Sequence, residues 1–174
     1  MAGATDTSDA VIVQLLADYP AAIAAVAEMR WREWGQPPEP TDLAWWTATT
    51  TREAGRDGLP VTWVALDAGG VALGAVGLIA YDWYDWPEWT PWVAGMIIRP
   101  DRRGQGLGGR LMARLEAWAR DQSYARAWVA TGGRAIAFYQ EVRLGSDRGG
   151  SARFGRCGDD PVETALSVAG TCGG

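Results

Sequence analysis

Trp92-Val93-Ala94-Gly95-Met96-Ile97-Ile98-Arg99-Pro100-Asp101-Arg102-Arg103-Gly104-Gln105-Gly106-Leu107-Gly108-Gly109 is the stretch whose reading decides the architecture. A short apolar run leads into arginines and a cluster of glycines, after which apolar residues recur at helical spacing, at Leu107, Leu111, Leu115 and Trp118. The pattern predicts a strand, a loop and a helix. Glycines let backbone N–H groups approach a ligand closely, and a helix start adds unpaired donors and a partial positive charge of about half an electron. A loop of this kind suits a pyrophosphate.

Three phosphate-loop patterns compete for these residues. A Walker loop closes its glycines with Gly-Lys-Ser/Thr, and the chain contains no lysine, which removes that reading. Gly104-x-Gly106-x-x-Gly109 matches a dinucleotide fingerprint, but that fingerprint needs an acidic residue closing the next strand. The next strand, Ala127-Trp128-Val129-Ala130, runs into Thr131-Gly132-Gly133. The third pattern is a resemblance. Arg103-x-x-Gly106-x-Gly108, directly after Met96-Ile97-Ile98, resembles the acetyl-coenzyme A loop of the GNAT superfamily of N-acetyltransferases, Arg/Gln-x-x-Gly-x-Gly/Ala. Downstream, Arg134-Ala135-Ile136-Ala137-Phe138-Tyr139 resembles the same family's Ala-x-x-Phe-Tyr helix.

The resemblance covers roughly residues 60–140 and implies an α/β (α+β) fold. The expected sheet is mixed and mostly antiparallel, flanked by helices, with a parallel strand pair splayed at the cofactor site. It implies acetyl-CoA as co-substrate, held by Met96, Ile97, Ile98, Arg103, Gly104, Gln105, Gly106, Leu107 and Gly108. It further implies that a backbone N–H near Met96 polarises the thioester carbonyl and that Tyr139 lies beside the thioester sulfur. Arg99 and Arg102 join Arg103 as guanidinium groups suited to phosphate. Where the family often has asparagine after the next strand, this chain has Thr131-Gly132-Gly133.

Composition bounds the rest. The chain has 174 residues, 48% of them hydrophobic, enough for one domain with a core. No apolar run reaches the roughly 20 residues of a membrane span, and Met1 to Ser8 lacks a signal pattern, so a cytoplasmic protein is expected. A formal charge of −5 and a pI near 4.7 argue against general nucleic-acid binding. All 16 basic side chains are arginine, and Lys, His and Asn are absent, a bias that suits a GC-rich bacterial genome. Any general acid or base is therefore a carboxylate, tyrosine, cysteine, backbone group or water. Cys157 and Cys172 have no metal-ligand spacing; they read as incidental thiols whose pairing stays open, and no metal is expected.

In chain order, Val11–Leu16 reads as a strand and Pro20 opens a helical stretch to Trp34. Gln36-Pro37-Pro38-Glu39-Pro40 must be a loop, and Thr41 is the expected N-cap of a helix over Asp42–Ala54. In the GNAT pattern these helices wall the acceptor side, and Trp31, Trp34, Trp45 and Trp46 read as packing residues. Val61–Leu66 and Val71–Tyr81 read as a hairpin around Asp67-Ala68-Gly69-Gly70, with Gly74 and Gly77 marking a bulge. Leu107–Asp121 is a helix, and Arg126–Ala130 a strand parallel to Trp92–Ile98.

Asp82-Trp83-Tyr84-Asp85-Trp86-Pro87-Glu88-Trp89-Thr90-Pro91-Trp92 places tryptophan at every third position, the first three each behind an acid. The prolines argue for an extended ribbon that shows indoles on one side. Carboxylates attract a cationic amine, and a desolvated indole face adds about 2 kcal/mol, so Trp83, Trp86 and Trp89 are candidate substrate contacts. Holding a lysine-like amine neutral at pH 7 costs about 4 to 5 kcal/mol, which a base must absorb. Glu88 is the first candidate, because it stands just before the cofactor strand, and Asp82 and Asp85 follow.

The reading that results is an acetyl-CoA-dependent N-acetyltransferase acting on a primary amine of a small molecule or peptide. A non-catalytic CoA-binding sensor or scaffold and a nucleotide-binding module are the other classes open to the same glycines. Residues 1–145 are expected to form the GNAT-like domain, with no nucleic-acid or membrane partner. Residues 146–174 form a Gly-rich divergent segment in which only Val162–Val168 reads as a strand. That segment is expected to be mobile, with the acceptor cleft wider on its side or completed by a second copy in a homodimer.

Overall fold

A computed structural model describes residues 10–81, 89–132, 135–146, 155–156 and 164–169, with side chains as far as residue 142. Among these residues seven strands form one sheet in the order β1-β2-β3-β4-β5-β7-β6. The strands are β1 (Ile12–Leu15), β2 (Val61–Leu66), β3 (Ala72–Ile79), β4 (Trp92–Ile98), β5 (Arg126–Thr131), β6 (Gly155–Arg156) and β7 (Thr164–Ala169). Four helices accompany them: α1 (Ile23–Trp34), α2 (Leu43–Glu53), α3 (Leu107–Asp121) and α4 (Ala135–Ser146). Neighbouring strands are antiparallel except β4 and β5, which are parallel and joined through α3. The mixed, mostly antiparallel sheet expected from the motifs is the sheet observed.

Both faces of the centre are covered, so β2 is buried along its whole length. Its alternating residues divide between two cores, as a period of two demands. Val61, Trp63 and Ala65 join Leu73, Val76, Leu78 and Val93 beneath α3, whose buried stripe is Leu107, Leu111, Met112, Leu115 and Ala119. Val64 and Leu66 join Leu16, Val26, Ala75 and Ile97 on the face covered by α1. Full burial of each such leucine contributes about 1.5–3 kcal/mol, which fixes α3, and with it the loop at its start, against the sheet. Trp118 adds an edge-on contact to Trp63, with centroids 5.6 Å apart.

Several boundaries differ from expectation. Pro20–Ala22 forms a turn of 3-10 helix, and α1 begins at Ile23. The N-cap of α2 is Asp42, not Thr41: the Asp42 Oδ1 accepts from the Ala44 amide at 2.9 Å, while the Thr41 carbonyl accepts from Trp31 Nε1. Trp46 Nε1 donates to the Pro40 carbonyl and its ring meets those of Trp34 and Trp45, so these indoles pin the proline loop. The bulge suggested by Gly74 and Gly77 does lie between them, but the extra residue is on the partner strand. Ala75 pairs with Ile97 and Gly77 with Ala94, so Val76 faces two residues, Gly95 and Met96. Gly95 has φ of +57°, the left-handed geometry that lets one strand of a bulged pair carry the surplus residue.

α4 runs from Ala135 through Leu144-Gly145 to Ser146. The strand expected over Val162–Val168 is Thr164–Ala169, paired along its length with β5 from Thr131↔Thr164 to Arg126↔Ala169.

Candidate functional site

The loop after β4 is built to leave backbone donors uncovered. Pro100–Arg102 makes one 3-10 turn, Gly104 and Gly106 have φ of +74° and +76°, and Gly106 is the N-cap of the 15-residue α3. A glycine cap has no side chain to accept from the first helical amides, so those donors and the positive end of the helix dipole are left for an external acceptor. A Cβ built on Gly104 or Gly106 would meet no protein atom within 4 Å, so the space beside both glycines is open. Backbone donors at an uncapped helix start, with open space beside them, fit the pyrophosphate of acetyl-CoA.

The three arginines are not equivalent. Arg99 forks onto Asp101 at 2.6 and 2.9 Å, and that hydrogen bond raises the guanidinium pKa and lowers that of the carboxyl. Arg103 donates to the Ile98 carbonyl at 3.0 Å and to Glu33 at 2.8 Å. The Glu33 pair is half exposed, and such pairs contribute only about 0–1 kcal/mol, so a phosphate can displace it. Arg102 lies 3.8 Å from Asp101. Gln105 donates from its side chain to the Asp101 carbonyl and so braces the loop.

The two motifs meet in space. A Cβ on Gly108 would fall 2.7 Å from Cε2 of Phe138, so the missing side chain lets the start of α3 close onto α4. Tyr139, beside Phe138, is 5% exposed and belongs to the same core cluster as Leu107 and Leu111. Burial pushes its phenol pKa up.

β4 and β5 diverge. Their ladder has one bridged pair, Trp92 with Trp128, reinforced by the Trp128 amide donating to the Pro91 carbonyl at 2.9 Å. Past that pair, Ala94, Gly95 and Met96 are half-buried although they lie in a central strand. Met96 and Ile98 pack toward the α3 side, whereas Ile97 is buried toward α1, so Ile97 has only its backbone to offer at the opening. The parallel pair expected to splay beside Met96-Ile97-Ile98 is thus seen to open there.

At the closed end of the opening Trp89 stacks on Trp128, with centroids 4.2 Å apart and planes 12° apart, and lies 6.1 Å from Trp92. Arg126 sits 5.7 Å over the Trp128 ring. Asp82, Trp83, Asp85, Trp86 and Glu88 lie outside the described residues, as do Cys157 and Cys172. Among the described residues no group of His, Cys, Asp and Glu that could hold a metal occurs, and no helix is long and apolar enough to cross a membrane.

Sequence reasoning missed one pair at this site. Arg30 of α1 and Glu53 of α2 form an ion pair at 2.7 Å, 2% and 20% exposed, directly behind the β4 bulge. The readable signal was an arginine on the stripe of α1 that also carries Val26 and Ala27.

Comparison with known proteins agrees with this geometry. The chain is similar to YncA of Salmonella typhimurium, solved with its cofactor acetyl-CoA, at 16% identity over 95% of this chain and 98% of that one, with a TM-score of 0.61. It is also similar to an acetyltransferase of the GNAT family from Staphylococcus aureus Mu50, at 13% identity over 91% and 98% of the two chains, TM-score 0.61. A chimera of the spermidine N-acetyltransferase SpeG from Vibrio cholerae with hSSAT matches at 14% identity over 91% and 95%, TM-score 0.61. No curated protein matches the sequence. The profile described as the acetyltransferase (GNAT) family matches residues 22–145, from α1 through most of α4, and with the glycine cradle and splayed strands inside that span the chain belongs to the GNAT family of acetyltransferases, whose co-substrate is acetyl-CoA.

Proposed function

We propose that this protein transfers the acetyl group of acetyl-CoA directly to a primary amine of a small molecule or peptide. The observation that carries the reading is the juxtaposition of the uncapped start of α3 with the opening between β4 and β5 at the Gly95–Met96 bulge. Acetyl-CoA, when bound, supplies an activated thioester. The amides at Gly106, Leu107 and Gly108 and the Arg103 guanidinium hold its phosphates, while the strand backbone over Met96-Ile97-Ile98 lies along the opening. The Met96 N–H donates to the carbonyl oxygen as negative charge develops there. Tyr139 donates a hydrogen bond to the departing sulfur.

In this reading the acceptor lies beside Trp89, which stacks on Trp128 where the two strands come together. On the same reading Trp83, Trp86 and Trp89 offer indole faces to a cationic amine, and Glu88, with Asp82 and Asp85 as the next candidates, takes the proton that leaves the nitrogen. Glu88→Gln is accordingly expected to shift the pH–rate profile toward alkaline pH, because more amine must then be neutral before it binds. An unmoved profile assigns the proton to Asp82, Asp85 or water. The proposal is tested by amine-dependent thiol release from acetyl-CoA across a panel of polyamines, amino acids, aminoglycoside-like amines and peptide N-termini. Release that depends on one amine class supports it. Tight acetyl-CoA binding with no release for any amine would leave a non-catalytic CoA-binding domain instead.

A further inference from the structure

Arg30 is the one charged side chain buried in the core among the described residues, 2% exposed, and its surroundings do not satisfy it. Nη1 donates to Glu53 Oε2 at 2.7 Å and to Thr50 Oγ1 at 3.4 Å, and Nε donates to the Gly95 carbonyl at 3.3 Å. Among the described residues Nη2 is buried without a hydrogen-bond partner. The guanidinium lies flat against Gly95: a Cβ on that residue would fall 2.5 Å from Nη2, 2.6 Å from Cζ and 2.7 Å from Nε. Desolvation is the largest influence on Arg30 and works against its charge, with Glu53 opposing it. A buried ion pair with an orphaned N–H is a poor way to fill a core, since apolar side chains of similar volume are often as stabilising or more so. The arrangement does supply one thing a methionine cannot, a rigid planar donor against a left-handed strand residue.

We propose that Arg30 is a positioning residue: with Glu53 as its countercharge, it clamps Gly95 in the left-handed bulge of β4 and thereby aims the next amide, that of Met96, into the opening between β4 and β5. The inference rests on the reading above, in which that amide polarises the thioester carbonyl. Without the clamp the bulge can relax into register with β3, turning the Met96 N–H toward the ladder. The loop that holds the phosphates lies beyond the end of β4 and is anchored separately by Arg103, Ile98 and Gln105. Loss of Arg30 therefore acts on turnover and leaves cofactor affinity nearly intact.

The test uses the full-length protein as wild type, as the double variant Arg30→Met/Glu53→Gln, which removes both charges together, and as Arg30→Lys, which keeps the charge and loses the planar fork. Three quantities are read: acetyl-CoA affinity by calorimetry, kcat and KM with the best amine of the panel, and the infrared carbonyl stretch of bound acetyl-CoA labelled with carbon-13 at the carbonyl. In wild type the stretch is expected below its solution position. In both variants affinity should stay within about threefold, kcat should fall about 100-fold with amine KM little changed, and the stretch should return toward its solution position. Lysine should not rescue. If the double variant does not fold, Arg30→Lys carries the same readouts alone. Folded variants that keep the wild-type carbonyl shift overturn the proposal, as does a wild type with no shift. A wild-type shift lost in the variants supports it even if every amine of the panel fails, an outcome that would count against the transfer reading and not against the clamp.

Discussion

Gly106→Val is expected to abolish the stabilisation that acetyl-CoA confers on the fold. With free ligand at 100 times its dissociation constant, binding to the native state alone is worth about 2.7 kcal/mol, which for a chain of this size raises Tm by roughly 5–10 °C. Gly106 has φ of +76°, and apart from its chain neighbours no protein atom lies within 4 Å of where its Cβ would be. A valine there clashes with no neighbour, and its own backbone strain costs about 1–3 kcal/mol. Its methyls project into the space that the pyrophosphate needs beside the first amides of α3, while the β-branched residue resists the left-handed cap. The variant should therefore melt cooperatively at a somewhat lower temperature and show no acetyl-CoA-dependent shift in differential scanning fluorimetry. A shift equal to wild type's would place the cofactor elsewhere.

Tyr139→Phe is expected to lower kcat about 100-fold, the usual size of a lost proton-handling group, with acetyl-CoA affinity unchanged. The ring packs in a core that already holds Leu107 and Leu111, with the neighbouring Phe138 ring beside it, so removing the hydroxyl alone changes little packing. Burial raises the phenol pKa, which makes full proton transfer to a thiolate near pKa 8.5 more uphill than the roughly 2 kcal/mol of free solution. The side chain consequently acts by hydrogen-bond donation as the sulfur departs. The same shift has a sign in stability. The folded phenol stays protonated where the unfolded one, near pKa 10, ionises, so its contribution is complete below pH 10 and is lost as pH rises above it. Wild type should lose stability above pH 10 more steeply than the phenylalanine variant in urea titrations at stepped pH. Full turnover in Tyr139→Phe would remove the residue from the reaction.

What could be read from the chain follows from how local each signal is. The strand, glycine loop and helix of residues 92–121 announce themselves within one window, because the change of period and the glycines are neighbours in sequence. α3 is found with the expected limits, Leu107–Asp121, for that reason. The cap of α2 lies one residue beyond the expected Thr41 because Thr41 and Asp42 are both good caps by type, and only the direction of the Asp42 carboxylate toward the Ala44 amide separates them. The bulge is non-local. Gly74 and Gly77 flag its neighbourhood, but the residue that carries it, Gly95, is revealed only by the pairing of β3 with β4. Arg30 and Glu53 are 23 positions apart on two helices, and no spacing rule links them to Gly95, 65 positions from Arg30. Trp89 shows the same limit. Its recurrence with other tryptophans suggests a ribbon, whereas its stacking partner Trp128 comes from β5.

The most direct measurement of the whole account is a single turnover with acetyl-CoA labelled with carbon-13 in the acetyl group, quenched at short times and analysed by mass spectrometry of both the small-molecule fraction and the intact protein. With the amine selected from the panel, direct transfer predicts that the label passes to one amide on the amine at the rate at which thiol appears, and that the protein never carries it. Label accumulating on the protein before the amide forms, or leaving only as acetate whatever amine is present, would contradict it.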